Sequence, residues 1–141
     1  MEARAEMVQA KRGGWNGVTG AQVMTRDFSV VGEEKFVPAN HTVQTGIFTL
    51  QSLDLGSVRL EAGGRYEHSQ INADADEALG LDQAIARSFN AYSFSACASY
   101  AIAPNWRIGV NGARSERAPS AEELFARGPH AGTQAFELGN P

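Results

Sequence analysis

The chain has 141 residues, a formal net charge of −4, 15 glycines and 20% charged residues, which amounts to one domain's worth of sequence. Its Lys and Arg residues are scattered singly, so the composition excludes the basic field that a nucleic-acid partner requires and offers no basic patch for a membrane surface. One cysteine, Cys97, excludes an internal disulfide or a cysteine zinc cluster, and no run of about 18 apolar residues offers a transmembrane helix, although barrel strands cross with only about 10 alternating residues.

In chain order, the N-terminus shows neither the basic segment nor the apolar segment of a signal peptide. Ala3, Ala5 and Met7 alternate with Glu2, Arg4 and Glu6, which fits a strand, although a short helix also fits. A tight turn is predicted at Lys11, Arg12, Gly13 and Gly14, followed by weaker strands over 17–28 and 42–53 with a long polar link over 30–40 between them. After a second tight turn at Asp54, Leu55 and Gly56 comes the strongest signal, 57–69. There Val58, Leu60, Ala62, Gly64 and Tyr66 alternate with Arg59, Glu61, Gly63, Arg65 and Glu67, a period of two that puts apolar and charged residues on opposite faces. A long link over 72–87 follows. It holds the acidic residues Asp74, Asp76, Glu77 and Asp82, read as a solvated loop without the glycine and terminal glutamate of a calcium loop, and an unusually apolar stretch over 80–87. Alternation returns over 91–102 and 103–113, with a tight turn at Ala103, Pro104 and Asn105.

The final segment changes character. Ser120 with Glu123 three residues on forms a capping box behind Pro119, which predicts a helix of about two turns over 120–127; a Gly/Pro-rich stretch and a strand-like pattern over 133–138 follow. The fold class is therefore all-β, about six or seven antiparallel up-and-down strands with one short helix. Short turns alternating with long links, and aromatics near strand ends (Trp15, Tyr66, Tyr100, Trp106), suit an outer-membrane β-barrel, with the strands crossing the lipid. On pattern alone a soluble all-β binding or structural module, closed by self-association into a homo-oligomer, stays open.

The segment Arg117-Ala118-Pro119, the pair Glu123-Leu124, the Gly-Pro-His turn ending at His130 and the run Gly139-Asn140-Pro141 resemble, in that order, the barrel signature of TonB-dependent outer-membrane receptors. Residues 32–38 and 60–67 resemble the zinc- and haem-uptake branch of that family; the likeness covers most of 31–141 and is weaker before it. The resemblance implies a receptor in the cell outer membrane that imports a metal or metal complex, zinc or haem, through a barrel of roughly 22 strands, powered by a TonB-type energising partner that engages a plug domain. Residues 1–141 are then expected to be a partial barrel domain, with neither plug nor C-terminal barrel strands.

In haem-uptake receptors a histidine at the place of His130 is an axial iron ligand, and imidazole suits iron and zinc alike; the bland alternative is an exposed loop histidine. His41 and His68 have no partner at metal-ligand spacing and are weaker candidates, read as surface residues. Arg59, Glu61, Arg65 and Glu67 are expected to face the barrel lumen and to pair across strands. No enzyme signature is present: there is no G-x-S-x-G, P-loop or H-E-x-x-H, Cys97 has no adjacent histidine, and no catalytic residue is expected.

Overall fold

A computed structural model describes residues 1–32, 35–129 and 136–140. Six strands, β1 (Glu2–Arg12), β2 (Trp15–Phe28), β3 (Asn40–Asp54), β4 (Val58–Ala73), β5 (Ile85–Ala103) and β6 (Trp106–Arg114), pair antiparallel in sequence order as one up-and-down sheet. The helix α1 (Ala121–Phe125) follows, then a small hairpin of β7 (Arg127–Pro129) and β8 (Phe136–Leu138). The all-β reading holds. The opening stretch, which also fitted a helix, is a strand. The helix is five residues long and ends at Phe125, capped by Ala126, rather than running over 120–127.

The turns lie where the sequence puts them. Gly13 and Gly14 have φ of 56° and 84°, both in the left-handed region that a two-residue hairpin matching the sheet twist demands. At the second turn the Asp54 carboxylate accepts from the Gly56 amide at 2.9 Å. All three short turns lie at one end of the sheet, and all long connections lie at the other.

The register fixes two faces. Leu53, Leu60, Ala98 and Val110 lie opposite one another across three consecutive pairings, and Ile47 lies opposite Tyr66 on the same face, so the apolar half of each alternation merges into a continuous band. These side chains are exposed: Ile102, Ile108 and Val110 keep 63%, 61% and 71% of their surface, an arrangement that fits lipid as the surrounding solvent. Polar groups on this face satisfy one another. Trp15 Nε1 donates to Gln51 Oε1 at 2.7 Å, Gln51 Nε2 to Thr49 Oγ1 at 2.9 Å, and the Thr49 and Thr19 hydroxyls share a bond of 2.9 Å.

Tyr66 corrects the strand-end expectation, because it sits in the middle of β4. It nonetheless marks an edge. On the outer face of β4 the apolar residues run from Val58 to Tyr66, about 26 Å at 3.3 Å per residue, and beyond Tyr66 come His68, Gln70 and Asn72. Tyr66 stacks on Tyr92 of β5 with ring centroids 5.1 Å apart, so an aromatic pair closes the band while the strands continue past it.

Candidate functional site: the inner face and its loop-covered end

Arg4, Glu6, Arg59, Glu61, Arg65 and Glu67 occupy the face opposite the apolar band. The expected cross-strand pairing is replaced by pairing along single strands: Arg4 with Glu6, Arg59 with Glu61 at 2.7 Å, and Arg65 with Glu67 at 2.6 Å. The register supplies the reason. The residues opposite Arg65 are Phe48 and Ser93, and those opposite Glu67 are Gly46 and Ala91, so for this pair the nearest counter-charge is two residues along the same strand, whereas Arg59 stands opposite Asp54 and still bonds Glu61. Arg65 reaches further only because Gly46 has no side chain. Its Nη1 donates to Gln22 Oε1 at 3.2 Å on β2, and a Cβ on Gly46 would lie 3.0 Å from Nη2. Gln22 Nε2 in turn donates to Glu2, so one polar chain runs from β4 to β1. Gly20 makes similar room for Phe48, whose ring carries the Arg4 guanidinium 4.3 Å from its centroid.

Toward the long-loop end this inner face becomes apolar and buried. Ile71 and Ala73 of β4, flanked by Ile85 and Phe89 of β5, receive Ala121, Leu124 and Phe125 of α1. The helix starts there because its cap is complete. The Glu123 amide donates to Ser120 Oγ at 3.3 Å, and the Ser120 amide donates to Glu123 Oε2 at 2.8 Å. Arg117 adds a two-pronged bond to the same carboxylate, at 2.7 and 2.5 Å. That bond, helped by the Ser120 amide, draws the Glu123 carboxyl down from its ordinary 4.5 to about 2.

The signature residues meet around this helix. Ala118 and Leu124 are buried, the Gly139 amide donates to the Ala126 carbonyl at 2.7 Å, and the Asn140 amide donates to the Glu123 carbonyl at 3.2 Å. A side chain at Gly139 would strike the Leu124 carbonyl oxygen. Arg117, Ala118, Glu123, Leu124, Gly139 and Asn140 are thus one folded assembly, with Pro119 half-buried in the chain between Ala118 and the helix cap, while Pro141 lies outside the described residues.

Residues that the sequence reading missed hold this assembly to its neighbours. Arg26 on β2 pairs with Glu122 at 3.1 Å, and Lys35 of the β2–β3 loop pairs with Asp76 of the β4–β5 loop. Asp76, taken as part of a solvated acidic loop, has a side chain only 9% exposed. Of the apolar stretch 80–87, Ile85 joins Phe89 in the floor under α1, and Leu79 just before the stretch is buried. Arg127 donates from its amide to the Phe36 carbonyl at 2.7 Å and from Nη1 to the carbonyls of Leu79 and Gly80 at 3.2 and 3.4 Å. Its partners are main-chain atoms, which leave no trace in the sequence.

The histidines separate. His41 and His68 lie on the outer face beyond the apolar band, His41 Nδ1 bonded to Asp27 at 2.6 Å and His68 Nδ1 to Asn90 at 2.9 Å. His130 lies outside the described residues. Among the described residues no three His, Cys, Asp or Glu side chains gather at metal-binding distance.

A sheet with an exposed apolar band on one side, paired charges on the other, and short turns opposite long loops is the wall of a membrane barrel. A family model described as "TonB dependent receptor-like, beta-barrel" matches residues 6–141. The chain belongs to this family. Its members are outer-membrane transport receptors energised through TonB, which places this sheet in the outer membrane with its apolar band suited to lipid. The family is one of transporters and not of enzymes. The short turns are then periplasmic and the long loops extracellular.

Proposed function

We propose that this chain contributes one sector of the barrel wall, together with an extracellular loop assembly, to a receptor that imports a metal or metal complex, zinc or haem. The observation that carries the reading is the position of the signature residues: they fold inward onto the lumenal face at the extracellular end, the place an incoming ligand meets first. His130 stands in the sequence between β7 and β8, whose outer ends are fixed to that assembly through Arg127 and Gly139. An imidazole there would suit iron or zinc. Residues 1–141 act as a sector because β1 and β6 each pair on one side only among the described residues, and lipid tolerates no open strand edge. Further strands of the receptor would close it, a plug would meet the Arg–Glu pairs, and TonB would supply the energy.

Haem titration of the intact receptor tests the ligand. A Soret shift that disappears in His130→Ala supports haem, and competitive zinc binding lost in the same variant supports zinc. If the receptor binds neither, the metal reading is wrong while the transport role stands; binding that is unchanged in His130→Ala removes His130 as the ligand.

A further inference from the structure

The three long extracellular segments do not stand as separate loops. The β2–β3 loop contributes Lys35 and Phe36, the β4–β5 loop Asp76, Leu79 and Gly80, and the segment after α1 contributes Arg127. Arg127 touches both of the others at once: its amide holds the Phe36 carbonyl and its guanidinium covers two consecutive carbonyls at the end of the single 3-10 turn Glu77–Leu79. Gly80 is shaped for this contact. Its φ of +69° is one that side chains rarely adopt, and a Cβ there would lie 2.6 Å from Arg127 Nη1. The Lys35–Asp76 pair closes the triangle between the first two loops.

We propose that Arg127 couples the three extracellular segments into one mechanical unit, so that they open together and a ligand that displaces one displaces all. The coupling has a direction that geometry predicts. Loss of the guanidinium frees the 3-10 turn, the turn carries Asp76, and Asp76 is the anchor of Lys35 in the β2–β3 loop. A contact removed from one loop is therefore felt in another loop that it never touched through its side chain.

Hydrogen–deuterium exchange on the intact receptor in outer-membrane vesicles tests this coupling, comparing Arg127→Ala with the parent. Loss of a hydrogen-bonded charge predicts exchange faster by about tenfold both at 74–82 and at 35–40, with the wall segment 58–66 unchanged. Acceleration confined to 74–82, or absent from both, overturns the proposal. If 58–66 also accelerates, Arg127→Lys is the deciding variant, because it keeps the stem and the charge and removes the fork that spans the Leu79 and Gly80 carbonyls: the two loops must again respond together, or the proposal falls.

Discussion

Strand β4 passes through two environments, and its apolar side changes face between them. From Val58 to Tyr66 the apolar residues point outward and the charges inward; from His68 to Ala73 the outward residues are His68, Gln70 and Asn72, while Ile71 and Ala73 point inward and are buried. β5 inverts at the same height, with Tyr92, Phe94 and Tyr100 outward in the lower part and Phe89 and Ile85 inward in the upper. The backbone period never changes. What changes is the surroundings: hydrocarbon outside and a wet lumen below, water outside and a packed helix inside above. A membrane strand can thus serve as lipid-facing wall and as the floor of a small water-soluble core within about 16 residues, the length of β4.

Substitutions confined to one part should leave the other intact. The largest effect is expected at Phe125→Ala, which empties the centre of the loop core: a loss of about 3–5 kcal/mol in the local opening energy, read as faster exchange over 117–127 with 58–66 unchanged. Equal loosening of both segments would show that the two parts are one cooperative unit. Leu60→Arg attacks the lower part instead. A cation on the lipid face costs about 2–4 kcal/mol near the bilayer midplane and less toward its edges, measurable as a lower denaturant midpoint for barrel unfolding in lipid, with protection over 117–127 kept until the barrel itself unfolds.

Acid should loosen the upper part first. Because the Glu123 carboxyl is held at about 2, below its ordinary 4.5, its contribution is fully present above that ordinary value and is lost as pH falls toward 2. Pepsin cleavage at the Leu124–Phe125 bond should climb through this window in the parent, whereas Glu123→Gln should be cleaved readily already at its upper end. A parent that resists cleavage throughout would show that the carboxylate contributes little. The smallest effect is expected at Ser69, fully buried on the lumenal face with its hydroxyl unbonded among the described residues. Ser69→Ala should be neutral or stabilise the upper part by up to about 1 kcal/mol, visible as slower exchange at 69–73. A clear acceleration would reveal a partner for the hydroxyl.

Much of this was legible in the sequence, for a physical reason. Period-two alternation survives wherever the two faces meet different solvents, so all six long strands could be placed, and Gly13-Gly14, Asp54-Leu55-Gly56 and Pro104-Asn105 marked the short turns. The capping box located α1 because its bonds join residues three apart. The inversion of faces was not legible, since alternation reports that two sides differ and not which one meets lipid. Nor was the hub at Arg127, whose acceptors are carbonyls, nor the pairing of Arg65 with Glu67 along one strand, which depends on the uncharged neighbours that the register brings opposite.

That last arrangement bears on how such a wall is built. Each of the strands β1 and β4 carries its own counter-ions, Arg4 with Glu6 on one and Arg59 with Glu61 and Arg65 with Glu67 on the other. Both members of each pair lie on one strand, so none needs a neighbouring strand to supply its counter-charge. A hairpin added to a growing barrel edge then brings these pairs to the interior already neutralised, without waiting for a later strand to supply the opposite sign.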